Sequence, residues 1–126
     1  MEADRLEKLT VLDEEIAKRK LIGASYTEKL VERGVDGFHV SPGYDCVFAQ
    51  YTLRAENRDQ VIADLKEKGI PTAVHYPLPL HMQPAVASIE FDLLHSEKAA
   101  REVFSIPMHP YLAEADVDFV VANVVD

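Results

Sequence analysis

The sequence predicts a small α+β domain, with a short, mostly antiparallel sheet, helices on one side of it, and a long N-terminal helix in front. Three observations carry this. Apolar residues recur at helical spacing through the first thirty-odd positions. An alternating run at 46–54 leads into a helical pattern closed by Gly69 and Pro71. Two proline-rich stretches, 73–84 and 105–112, are too interrupted for a helix or a central strand.

The elements follow in order. Leu6, Leu9, Leu12, Ile16, Tyr26 and Leu30 form the apolar stripe of the first helix. Glu14 with Lys18 and Glu15 with Arg19 add acid-before-base pairs one turn apart, and Gly34 and Gly37 end the helix. A helix of this length cannot bury its stripe alone, so part of that face is expected to meet a partner chain or another domain. Residues 46–54 read as a strand with Val47, Ala49, Tyr51 and Leu53 on one face. The other face begins with Cys46 and Phe48 and turns polar at Gln50, Thr52 and Arg54. Asn57, with Gln60 three residues later, has capping-box spacing. Val61, Ile62 and Leu65 give the following helix its buried stripe, and Gly69 and Pro71 stop it. A short strand is expected over 72–76, a helix capped by Ser96 over 96–104, an extended stretch over 105–112, and a last helix with Val117, Val120, Val121 and Val124 inward.

Composition excludes several functions. The 126 residues carry a formal charge of −9, and the acidity is spread along the chain, which argues against a nucleic-acid partner or an anionic membrane surface. No run of residues is long and apolar enough for a membrane span, so a cytoplasmic protein is expected. The lone Cys46 has no internal disulfide partner and reads as a buried, inert thiol. Glycines at 23, 34, 37, 43 and 69 form no phosphate-cradling loop, one cysteine cannot build a Cys–His metal box, and no serine sits in a nucleophile elbow.

The histidines remain. His75, His81 and His109 all lie in the proline-stiffened stretches, where each proline fixes its own φ and restricts the residue before it. A loop held this way loses little freedom on binding. His75 beside Tyr76 offers donors and acceptors to a hydroxylated or anionic ligand. On the residues alone, the other reading is that Tyr76 packs beneath the loop and the histidines cap carbonyls.

The strings "GIPTAVHYPLPLHMQPA" and "AAREVFSIPMHPYL", in this order and followed by a closing helix, resemble the C-terminal domain of the DegT/DnrJ/EryC1/StrS family. That family consists of pyridoxal-phosphate-dependent aminotransferases acting on nucleotide-linked keto-sugars. The resemblance implies a connecting helix over residues 1–34 and a small aminotransferase domain over 35–126. It also implies that the large domain, which carries the Schiff-base lysine and the phosphate-binding residues, is absent. His75 and Tyr76 match the family's paired His-Tyr on the substrate side, with His81 and Gln83 as loop supports first and direct ligands second. His109 matches a structural position.

The lysines, which lie in charged helical stretches, offer no desolvated amine for a Schiff base. Hence no catalytic, cofactor-binding or metal-binding residue is expected in this chain, and no activity from it alone. The stretch 84–98 is shorter than is usual in the family and lacks its glycine-containing turn. The expected partners are a nucleotide-linked sugar in the full enzyme and a second copy, or the large domain, along the first helix. The alternative is a freestanding, non-catalytic binding or dimerisation module.

Overall fold

The computed structural model describes residues 2–87 and 90–124. In chain order these form α1 (Glu2–Thr10), α2 (Leu12–Glu32), β1 (Tyr51–Arg54), α3 (Arg58–Glu67), a 3₁₀ turn (Leu80–Met82), α4 (Leu94–Glu102), β2 (Val103–Ile106) and α5 (Glu114–Val124). They divide into two units. One comprises the residues up to Tyr51 and those from Pro107 onward, and the other is Thr52–Ile106.

The first unit is built on α2 and α5. Where one unbroken N-terminal helix was expected, the helix is interrupted at Val11 (φ −111°, ψ 3°). The Thr10 hydroxyl donates to the Glu7 carbonyl at 2.6 Å, and the Val11 N–H reaches back only three residues, to Lys8. These bonds tighten the last turn of α1, and the β-branched Val11 does not restore it. The stripe divides as well. Tyr26 and Leu30 are fully buried, whereas Leu6 and Leu9 are 63% and 61% exposed.

α2 stops at Gly34 (φ +77°), with the Gly34 N–H on the Val31 carbonyl and the Val35 N–H on the Leu30 carbonyl. This is the paired closing bond pattern of a left-handed glycine after a helix. Val117, Val120 and Val121 of α5 complete the core, as their spacing predicts. Between the two helices Lys29 binds both Glu114 and Asp118.

The strand expected over 46–54 survives only as β1. Phe48 takes a left-handed backbone (φ +52°), so Val47 and Ala49 turn outward and Phe48 turns in. The reason is tertiary. The Phe48 ring lies over Gly23, where a Cβ would stand 2.4 Å from a ring carbon. It also stacks on Tyr51 at 5.9 Å between ring centres. The freed carbonyls of Phe48 and Ala49 accept from the Arg19 guanidinium at 3.2 and 3.3 Å. Cys46, expected in a strand and buried, is half-buried in this irregular stretch.

In the second unit, Asn57 does precede α3, but its side chain makes no capping bond. Gln60, assigned to the capping box, donates instead to Asp64 at 2.7 Å. The far end of the helix closes as predicted, with Gly69 at φ +79°, its N–H on Lys66 and the Ile70 N–H on Leu65. Leu65 and Ile70 are both buried, supplying the apolar contact that accompanies such a closure. Gly69→Ala is expected to cost about 1 kcal/mol, since only the left-handed backbone is penalised and the added Cβ has open space. Urea denaturation of the two proteins checks this.

The sheet is a two-stranded antiparallel pair. Ala55 bonds to Glu102, and Thr52 meets Ser105 through their hydroxyls at 3.0 Å, so one residue number rises as the other falls. The strand expected over 72–76 contracts to one antiparallel bridge, Ala73 with Ser105, because Pro71 and Pro77 bracket the segment and remove ladder donors. α4 begins at Leu94, which places Ser96 inside the helix and not at its cap, and it yields at Val103 to β2. At that junction the Arg58 guanidinium donates to the carbonyls of Ala100 and Val103, which the helix end leaves unpaired. The α+β class is therefore the observed one, with a smaller sheet than the sequence predicts.

Candidate functional site

The loop that leaves Ala73 carries the four predicted site residues. His75 is exposed and Tyr76 is 77% exposed. Beyond them Pro79 is extended (φ −61°, ψ 155°) and starts the 3₁₀ turn, closed by the Met82 N–H on the Pro79 carbonyl at 3.0 Å. The Gln83 side-chain amide donates back to the Leu78 carbonyl at 3.0 Å, bracing the loop across its base. The prolines and this brace preset the conformation before any ligand arrives. Tyr76 and Leu80 (82% exposed) project apolar surface outward, a costly arrangement for a surface that meets only water.

His81 points the other way. Its side chain is 8% exposed, and its Nε2 lies 3.6 Å from the Glu97 carboxylate on α4. Nε2 has no hydrogen-bond partner among the described residues. His81 and Glu97 line an open groove of about 630 Å³ with Met82, Glu90, Phe91 and Asp92. Thus the four residues share one loop but not one cavity. His75 and Tyr76 face out, His81 faces α4, and Gln83 braces its own loop. Glu97 was missed from the sequence, because its partner lies sixteen positions away in irregular chain and no periodicity links the two. Ser88 and Ile89, in the stretch whose shortness was noted, lie outside the described residues. In the other unit, His109 Nδ1 accepts from the Tyr111 N–H at 3.2 Å and so holds its own turn.

The lysines among the described residues are either paired with carboxylates or exposed. Lys18, Lys20 and Lys98 pair with Glu14, Asp45 and Glu102, and Lys8, Lys66 and Lys68 are exposed. Lys29 is the most enclosed, but the hydrogen bonds it donates to Asp118 and Glu114 hold its ammonium above the usual lysine range. A nucleophilic amine needs the opposite shift. The same contacts act in reverse on the acids: Lys29, then Ser25, holds Glu114 below its usual value, and Lys20 does so for Asp45. No group of three or more metal-ligating side chains occurs among the described residues, and no helix there is long and apolar enough to cross a membrane.

The geometry is thus that of a braced loop presenting an imidazole and a phenol. Residues 3–125 match the DegT/DnrJ/EryC1/StrS aminotransferase family. The chain belongs to that family. Among its relatives, the UDP-2-acetamido-2-deoxy-3-oxo-D-glucuronate aminotransferase of Pseudomonas aeruginosa is 45% identical over 117 residues, which is 93% of this chain and 33% of that protein. A DegT DnrJ EryC1 StrS aminotransferase from Brucella abortus superposes with a TM-score of 0.86 at 37% identity, over 94% of this chain and 32% of that one. NtdA from Bacillus subtilis, solved with its bound cofactor pmp, superposes with a TM-score of 0.83 at 27% identity, over 94% and 29% of the respective chains. The chain therefore spans about a third of the length of the family members it matches. The DegT/DnrJ/EryC1/StrS family is pyridoxal-phosphate-dependent.

Proposed function

We propose that this chain is the small, substrate-side domain of a pyridoxal-phosphate-dependent aminotransferase for nucleotide-linked keto-sugars. Residues 1–34 form the connection and residues 35–126 the domain, and the cofactor-binding domain lies outside this sequence. The observation that supports the reading is the exposed His75–Tyr76 pair on a proline-braced loop. The relatives' names supply the ligand class, since the Pseudomonas aeruginosa protein is a UDP-sugar aminotransferase. The family membership and these names favour an enzyme part over a freestanding dimerisation module.

In this reading the cofactor supplies the electron-sink chemistry when bound to the whole protein, and this chain supplies position. The His75 ring nitrogens and the Tyr76 hydroxyl hydrogen-bond sugar hydroxyls or an acidic substituent. The prolines keep both side chains from wandering, and His81 and Gln83 support the loop from behind. Leu6, Leu9 and Leu12, exposed on α1 and the start of α2, meet the large domain or a second copy of the chain. The working compartment is the cytoplasm.

Titration of the chain with UDP-N-acetylglucosamine, followed by NMR, tests the site. The His75 and Tyr76 ring signals are expected to move in a saturable way, while His39 and His109 stay still. Saturable movement at any other cluster, with His75 and Tyr76 unmoved, would overturn the assignment.

A further inference from the structure

We propose that Glu97 is a positioning residue that acts through His81 to hold the proline loop carrying His75 and Tyr76. The proposal rests on the reading of that loop as the sugar-facing wall, and it concerns how the wall is kept in place. Three observations support it. The first is enclosure: the His81 side chain is nine-tenths buried, and its Nε2 lacks a hydrogen-bond partner among the described residues. Leaving a buried ring nitrogen unpaired is costly, so the ring sits there stably only if a neighbour accepts from it. The Glu97 carboxylate, 3.6 Å away, lies a few tenths of an ångström beyond a full hydrogen bond.

The second is that α4 is itself anchored. Arg58 grips the carbonyls of Ala100 and Val103 at its C-terminal end, Ala100 is buried, and Arg54 pairs with Glu102 at 2.9 Å. Glu97 therefore stands on a fixed element, and a bond from His81 transfers that rigidity to the loop. Lys98, its neighbour on α4, is directed to Glu102 at 3.9 Å. The third is proximity: among the described residues, Glu97 is the one carboxylate within 4.0 Å of a His81 ring nitrogen. The other carboxylates of the groove, Glu90 and Asp92, come from the exposed segment before α4. One contact, His81 to Glu97, thus joins the 3₁₀ turn to the helix.

Amide hydrogen exchange on the 126-residue chain tests this. Glu97→Ala removes the acceptor and is expected to raise exchange over residues 77–84 roughly tenfold, the effect of one hydrogen bond, with α3 and the β1–β2 pair unchanged. Glu97→Gln keeps a carbonyl acceptor and is expected to restore protection to within about threefold of the wild type. Unchanged exchange over 77–84 in Glu97→Ala would overturn the proposal, and so would a rise spread evenly over the unit. If that variant does not fold, the wild-type His81 ring decides, read from its nitrogen chemical shifts. A protonated Nε2 in a hydrogen bond is expected, and an unprotonated, unbonded Nε2 would overturn the proposal. Neither measurement involves a sugar, so failure here leaves the assignment of His75 and Tyr76 to its own titration.

Discussion

Tyr26→Ala is expected to lower the stability of the chain by about 3–5 kcal/mol, the range for truncating a fully buried aromatic side chain. Tyr26 has no exposed surface, lies 5.1 Å from the Tyr51 ring centre, and donates its hydroxyl to the Pro107 carbonyl at 2.7 Å. It thereby ties α2 both to the segment before α5 and to the residue that opens β1. Tyr26→Phe keeps the ring and loses only that bond, so about 1 kcal/mol is expected.

The pair also gives a pH test. Burial first, then the charge of Asp116 and the neighbouring Tyr51, push the Tyr26 phenol well above its ordinary value of 10.0. Below that value both the folded and unfolded chains hold the proton, and this contribution to stability is complete. Above it the unfolded chain ionises while the folded one does not, so stability falls as the pH rises through the alkaline range. Lys29, also raised, loses stability in the same direction, so the informative quantity is the difference between wild type and Tyr26→Phe. Urea denaturation at neutral and at alkaline pH should show a steeper alkaline loss in the wild type.

In the whole enzyme proposed for this sequence, His75→Ala combined with Tyr76→Phe is expected to reduce kcat/KM for the nucleotide-sugar roughly a hundredfold. That corresponds to the loss of two hydrogen bonds, at least one to a charged group. The half-reaction with the amino donor alone should change by less than about threefold, because in this account neither residue touches the cofactor's attachment. Both side chains are exposed, so folding is not at issue, and thermal denaturation should be unaltered. Equal losses in both half-reactions would move His75 and Tyr76 out of the substrate wall.

Much of the local architecture was legible because it depends on neighbours in sequence. The closure at Gly69 needs only a glycine, a buried Leu65 and a buried Ile70, all within six positions. The α5 valines likewise declare their face by spacing alone. What failed depends on distant residues. Phe48 leaves the strand pattern because Gly23, twenty-five positions earlier, makes room for its ring, and Arg19 takes up the carbonyls. Asn57 and Ser96 have the residue types of helix caps, yet Asn57 makes no side-chain cap bond and α4 starts two residues before Ser96. The site divides in the same way. Residues 75–83 stand out by composition, but the inward turn of His81 is seen only against α4, whose Glu97 carries no local signal.

Cofactor trapping asks most directly whether this chain shapes the substrate wall without holding pyridoxal phosphate itself. The purified chain is incubated with pyridoxal phosphate and reduced with borohydride, and its lysines are mapped by peptide mass. Scattered, substoichiometric labelling of surface lysines that does not saturate is the expected result. Saturable, stoichiometric labelling at a single lysine would contradict it.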